Sequence, residues 1–370
     1  MVKEAMLYEK LDGGHVRCAL CSHRCRIAPA KRGICGVREN REGTLYSLVY
    51  GPVIAASIDP VEKKPLYHLY PGSDSYSIAA VGCNFRCSFC QNHEISQMPR
   101  EEGRIAGREM SPRRVVDEAV DSASKSISYT YTEPTVFFEF ARDTACLARE
   151  KGLKNIFVTN GFMTQEALEA ASPWLDAANV DLKSFRDEFY RQHCGARLEP
   201  VLDTLRGMKK RGIWVEVTTL VIPTLNDDEG ELRDIAAFVR SLGAEVPWHV
   251  SRFFPRYKSQ GLSPTPVKTI DRALEIGREA GLKHVYGGNV PGSASDHTYC
   301  SACGNLLIER QGYEIRAYNL DEARCRRCGV FWSGLPRWLR GQCCVPNAWW
   351  HGRARRAASG RRPSAATSRR

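Results

Sequence analysis

Three cysteines, Cys83, Cys87 and Cys90, fall within eight residues, in the stretch Cys83-Asn84-Phe85-Arg86-Cys87-Ser88-Phe89-Cys90, spaced C-x3-C-x2-C. An apolar run from Ser77 to Gly82 precedes them and reads as a strand, so the thiols sit on a loop at its end. Thiolates are soft ligands. Three of them this close can wrap a compact iron–sulfur cluster while loop N–H groups donate to its sulfides. They leave one iron without a protein ligand. A structural zinc site or chance clustering is the competing reading, but three cysteines are one short of a closed zinc shell.

Two further sets have ligand spacing. Cys18, Cys21, Cys25 and Cys35 run C-x2-C-x3-C-x9-C beside a Gly-rich turn, Arg32 to Gly36. Four soft ligands in so short a segment can close a tetrahedral zinc site or hold an auxiliary iron–sulfur cluster, and spacing alone does not choose. His23, among them, is expected to be solvated or hydrogen-bonding, since four cysteines already suffice. Cys300, Cys303, Cys325 and Cys328 form C-x2-C-x21-C-x2-C, each pair followed by Gly, with hairpin-like sequence between. That pattern predicts a zinc-ribbon-like module holding zinc, with iron as the rival metal. Cys146 reads as core on an apolar helical face, and Cys194, in a loop, has the reach to approach a site.

The elements that must position these groups alternate. Ser126 to Pro134, Asn155 to Gly161, Ala178 to Ser184, Trp214 to Ile222 and Pro247 to Phe254 read as strands. Pro112 to Ser124, Val136 to Lys151, Gln165 to Ala171, Pro200 to Arg211 and Glu229 to Leu242 have helical periodicity. Such alternation predicts an α/β fold with a parallel sheet and right-handed crossovers, here a partial (β/α)6-type barrel whose site lies at the C-terminal strand ends. Thr132-Glu133-Pro134, Asn160, Asp181 and Lys183, Pro223 to Asn226, and His249 with Arg252 all stand on or near those ends. Asp59 to Leu66, punctuated by proline, reads as a loop that could lie over the barrel mouth, with Lys63 and Lys64 a solvated pair. Four segments follow: residues 1–70, a four-Cys module and lead-in; 71–292, the barrel; 293–336, the Cys-pair ribbon; and 337–370, a basic tail.

Fifteen cysteines in close-spaced groups, with no apolar leader near Met1, fit metal binding in a reducing cytoplasm better than a disulfide scaffold. No apolar run is long enough to cross a bilayer, so a membrane role is not expected. The net charge of +11 does not indicate nucleic acid: residues 337–370 carry nine arginines and no acidic residue, leaving +2 on the first 336. That tail, which includes Cys343 and Cys344, has no periodicity and reads as disordered.

The combination CNFRCSFCQN, YTEPT, FVTNGF, NVDLKSF and PWHVSRFFP resembles the activating enzymes of glycyl-radical enzymes, such as pyruvate formate-lyase activase. It is more similar still to the AmmeMemoRadiSam system radical SAM enzymes, which also carry an N-terminal four-Cys segment and, after the barrel, a Gly-Asn-Val-Pro-Gly stretch and Cys pairs. Here those are Gly288 to Gly292 and Cys300 onward. The resemblance implies that Cys83, Cys87 and Cys90 ligate a [4Fe–4S] cluster whose open iron chelates S-adenosylmethionine (SAM). It also implies reductive cleavage of SAM to a 5′-deoxyadenosyl radical that abstracts hydrogen, from a protein glycyl residue or from another peptide or small molecule. By the same resemblance Phe89 packs near the adenine, and Thr132 and Glu133 bind the SAM ammonium. Asn160 lies near the ribose or carboxylate, Lys183 meets the carboxylate, and Asp181 neighbours a cation or ribose. His249 faces the ribose, with Arg252 a weaker candidate; the alternative for His249 is a satisfied core imidazole. The chain has no flavin or nicotinamide fingerprint, so reduced flavodoxin or ferredoxin is the expected electron donor. A non-catalytic metal-binding scaffold, or use of SAM as a methyl donor, are the competing functions.

Overall fold

The computed structural model describes residues 2–332, apart from Pro291 and Glu322. The basic tail 337–370, with Cys343 and Cys344, lies outside the described residues.

Eight strands form the central sheet: β1 (Ala55–Pro60), β2 (Asp74–Ala79), β3 (Ser126–Tyr129), β4 (Lys154–Thr159), β5 (Ala177–Asp181), β6 (Trp214–Val221), β7 (Trp248–Arg252) and β8 (Val285–Gly288). They lie side by side in chain order, with β2 to β8 parallel and β1 antiparallel to β2. The edges are β1 and β8, so the barrel is open. Buried on both faces, the strands are near-continuous apolar runs, as in Ile156-Phe157-Val158. Helices α1 (Pro112–Asp121), α2 (Phe138–Glu150), α3 (Gln165–Ala171), α4 (Glu199–Lys210), α5 (Glu229–Leu242) and α6 (Val267–Glu279) provide the crossovers. Their starts are written locally: Ser111, Thr164 and Asp228 accept from main-chain N–H groups in the first turns of α1, α3 and α5.

The alternation is therefore as expected, but extends by one unit. The pair α6 and β8 was not among the expected elements, because β8 is four residues long and ends in two glycines, which carry little strand signal.

The segment after β1 corrects a second expectation. Asp59 and Pro60 complete an edge strand, and the chain beyond packs at the end opposite the mouth. Val61, Leu66 and Leu69 are fully buried against Ile156, Ala177 and Trp214, the last two being the first residues of β5 and β6. The loop is a plug in the closed end of the barrel. Lys64 is correspondingly not solvated: its ammonium is buried and 2.6 Å from Asp59. Burial lowers its pKa to about 8 even with that carboxylate beside it. Lys63, also paired with Asp59, is more exposed.

Two small modules flank the barrel. The ribbon, with strands Thr298–Tyr299, Leu306–Gln311 and Glu314–Tyr318, has its own core of Leu307, Ile308, Leu320 and Trp332. It docks on the plug, where Arg310 donates to the Tyr67 carbonyl at 3.0 Å and Trp332 packs on His68. The N-terminal module consists of short antiparallel pairings that end at Ser47. It seats at the other end, on the loop after β4: Ser22 N–H donates to Phe162, and Thr164 Oγ1 donates to the Ala19 carbonyl at 2.6 Å.

Candidate active site

The loop that follows β2 leaves the barrel at its C-terminal end and is pinned from two sides. On one side, residues Tyr190–Cys194 form a single wide helical turn closed by left-handed Gly195. Arg86 N–H donates to its Cys194 carbonyl (2.9 Å) and Ser88 N–H to its His193 carbonyl (3.0 Å). On the other, the N-terminal module approaches so closely that Gly82, with φ +100°, has no room for a Cβ: it would lie 2.6 Å from Val37 and 3.1 Å from the Cys35 carbonyl. Only glycine suits that backbone and that approach.

Within this frame Cys87 is buried and Cys83 and Cys90 are partly buried. Phe85 N–H reaches the Cys83 sulfur at 3.3 Å, and the Ser96 hydroxyl lies 3.3 Å from Cys90. Asn84 Nδ2 is buried without a partner among the described residues. Burial, with the Glu133 charge nearby, pushes the Cys83 thiol well above its ordinary pKa. A cation at the sulfur would offset that, as metal–thiolate bonding does. Soft donors, N–H groups aimed at sulfur and an unpaired amide together suit an iron–sulfur cluster held by three thiolates.

Several strand-end residues converge here. Asn160 donates to Asn84 Oδ1 at 2.7 Å and lies 3.8 Å from the Cys83 sulfur. Lys183 pairs with Asp181 at 2.7 Å. Burial works against its charge, but Asp181 and the thiols of Cys87 and Cys194 raise its ammonium well above the ordinary value. Its nitrogen stands 6.0 Å from the ring of Phe89, which packs on Phe189. A cation is thus held beside the thiol loop, with Asp181 partly exposed next to it.

Other candidates have different partners from those the resemblance implied. Glu133 is not a free carboxylate at the mouth. It accepts from Thr135 N–H (3.0 Å), Thr135 Oγ1 (2.6 Å), Thr159 Oγ1 (2.7 Å) and Asn160 N–H (2.8 Å). It therefore ties the end of β3 to the end of β4 and fixes Asn160 against the thiol loop. Thr132 donates to the Ala80 carbonyl at 2.7 Å, and Tyr131, left-handed at φ +63°, gives its carbonyl to Asn92. His249 is buried, 2.7 Å from Glu216, with Tyr67 and Tyr286 packed on its ring. Because Glu216 also accepts from Tyr67 N–H, His68 N–H and Trp214 Nε1, this imidazole belongs to the plug, and the satisfied core reading describes it. Arg252 donates to the Thr265 carbonyl and stacks on Phe254.

Of the two isolated cysteines, Cys146 departs from its expectation and Cys194 does reach the site. Cys146 is exposed rather than core: beyond its first turn α2 buries Ala141, Thr144, Ala145 and Ala148, and Cys146 lies off that stripe. Cys194 is fully buried against Cys87. Their side-chain hydrogen bond holds the Cys87 thiol below its ordinary value, while burial and the same contact push Cys194 well above. The sequence carried no signal for this contact beyond the position of Cys194 in a loop after β5.

At the closed end, the four ribbon thiols lie within 4.8 Å of one another, and the pairs Cys300–Cys328 and Cys303–Cys325 are 3.7 Å apart. Tetrahedral thiolates around one zinc are separated by about 3.8 Å, given Zn–S bonds of about 2.3 Å. The ribbon fits a single such ion.

Residues 77–236 match the family model described as the radical SAM superfamily. The uncharacterized protein MJ0808 of Methanocaldococcus jannaschii is 49% identical over 89% of this chain and 98% of its own length. The pyruvate formate-lyase-activating enzyme of Clostridium pasteurianum is 22% identical over 44% of this chain and 67% of its own. A radical SAM methyltransferase from Sphaerobacter thermophilus superposes with a TM-score of 0.50 at 15% identity, covering 82% of this chain and 81% of that one, which is a likeness of fold.

Proposed function

Because this chain belongs to the radical SAM superfamily, whose members use a [4Fe–4S] cluster and SAM, we propose that it abstracts hydrogen from an organic substrate at the C-terminal end of its barrel. The observation that carries this reading is the C-x3-C-x2-C loop at the end of β2, with Lys183 and Asn160 beside its sulfurs. When bound, the cluster and SAM supply a one-electron cleavage that yields methionine and a 5′-deoxyadenosyl radical. The chain's part is to bind and orient. Cys83, Cys87 and Cys90 hold the iron. Lys183, kept charged by Asp181, offers a cation to the SAM carboxylate. Asn160, held through Glu133, offers a polar edge beside the loop, Thr132 lines the approach, and Phe89 gives an apolar wall for the adenine.

A glycyl Cα–H of a protein partner is the first substrate to test, because relatives carry the name pyruvate formate-lyase-activating enzyme. An AmmeMemoRadiSam assignment fits the flanking cysteine modules. The reductant is a flavodoxin or ferredoxin, and the ribbon holds zinc. Anaerobic incubation of the reconstituted, reduced protein with SAM is expected to release 5′-deoxyadenosine, and a Cys83/Cys87/Cys90→Ala variant is expected to release none. Equal release by the variant would overturn the assignment of these thiols.

A further inference from the structure

The N-terminal quartet has a different geometry from the ribbon. Among the described residues, the ribbon is the only group of three or more candidate ligand atoms gathered within 4.8 Å. Cys18, Cys21, Cys25 and Cys35 instead stand around a small, partly open hollow of about 20 Å³. Leu20, Ile27 and Val136 complete much of its wall. A single zinc ion draws its thiolates together to about 3.8 Å, as the ribbon thiols already lie. A cubane of irons and sulfides holds its terminal thiolates farther apart. The Cys83, Cys87 and Cys90 set, which serves such a cluster in this superfamily, is likewise not gathered within 4.8 Å.

A second observation points into the same hollow. Arg38 lines it and is 1% exposed. One guanidinium nitrogen, Nη2, meets Glu139 at 2.5 Å, but Nε and Nη1 are buried with no hydrogen-bond partner among the described residues. Two unsatisfied donor nitrogens on a buried cation are costly unless something accepts from them. Thiolate and sulfide sulfurs would accept, and their negative charge would be balanced by the guanidinium. His23 also lines the hollow, and its Nε2 lies 2.9 Å from the Asn84 carbonyl, which ties the N-terminal module to the first thiol loop.

We propose that Cys18, Cys21, Cys25 and Cys35 hold a second iron–sulfur cluster, ligated by all four thiolates and hydrogen-bonded by Arg38, and not a zinc ion. The seat adjoins the first cluster loop: Arg100 Nη2 donates to both the Ile34 carbonyl (2.9 Å) and the Cys83 carbonyl (3.2 Å).

The test is metal and sulfide analysis of the full chain after anaerobic reconstitution, with Mössbauer and electron paramagnetic resonance spectra. The unmutated protein is expected to carry about eight iron and about eight sulfide per chain, with about one zinc. The Cys83/Cys87/Cys90→Ala variant should keep about four iron and a cluster spectrum, and adding Cys25→Ser and Cys35→Ser should remove both while zinc stays at about one. About four iron with about two zinc in the unmutated protein, the iron lost in the triple variant, would overturn the proposal while leaving the SAM site intact. Should the multiple variants not fold, the counts on the unmutated chain decide alone. 5′-Deoxyadenosine release, which reports on the first cluster, separates failure of this site from failure of that one.

Discussion

Glu216 offers a direct test of which end of the barrel His249 serves. Its carboxylate is buried and accepts four hydrogen bonds, from His68 N–H (2.9 Å) and Trp214 Nε1 (3.1 Å) on one oxygen and from Tyr67 N–H (3.0 Å) and His249 (2.7 Å) on the other. Glu216→Gln keeps the volume and turns one acceptor into a donor. The cheaper placement of the amide nitrogen is toward Tyr67 and His249, because the imidazole can turn its tautomer to accept, which leaves one buried N–H orphaned. That costs about 1–3 kcal/mol. The surviving bonds lose their charge assistance and roughly half their strength. A total near 3 kcal/mol is expected, which corresponds to about a hundredfold faster opening. Hydrogen–deuterium exchange read by mass spectrometry on peptides spanning residues 61–72 should show that acceleration in the plug, with little change in the loop around Cys83. The KM for SAM should stay within about twofold. Unchanged exchange in the plug would refute the hub, and a tenfold rise in KM with an undisturbed plug would return His249 to the SAM pocket.

Three further outcomes follow from other contacts. Cys325→Ser is expected to lose about one zinc and open the ribbon while 5′-deoxyadenosine release persists, read by metal analysis and chromatography; parallel loss of release would tie the ribbon to the reaction. Glu62 is buried and held up to about 7 by burial, with Arg310 pulling the other way. A carboxyl raised in the folded state binds protons there that the unfolded chain has shed, so stability falls as pH rises from the unfolded toward the folded value. Between about pH 5.5 and about pH 7 that loss is on the order of 1.5 kcal/mol, and Glu62→Gln should flatten the slope in denaturant titrations of the metal-loaded protein. Cys194→Ala is expected to keep the iron count and lower the reduction potential of the first cluster, since a thiol donating to Cys87 favours the more negative, reduced state; an unchanged potential by spectroelectrochemistry would remove Cys194 from the cluster's surroundings.

What the sequence made legible was local. The C-x3-C-x2-C run, the paired knuckles of the ribbon and the alternation of apolar strands with amphipathic helices each fit in a short window, and the strand-end positions of Asn160, Asp181 and Lys183 follow from the parallel topology. The illegible parts are long-range choices among partners. Glu133 stands where a ligand-binding carboxylate was expected, but Thr159 and Asn160, on the next strand, claim it. Glu216 meets Tyr67 across 149 residues, which no periodicity announces. Proline at position 60 disguised the end of an edge strand, where its missing N–H does no harm.

Because Val61, Leu66 and Leu69 stop one end, the barrel is a cup and not a tube. Access to the thiol loop is then from the C-terminal strand ends and not through the base, and the N-terminal module already occupies part of that rim. The ribbon is fixed to the base of the cup, so its four thiols and the three of the cluster loop stand at opposite ends of the barrel.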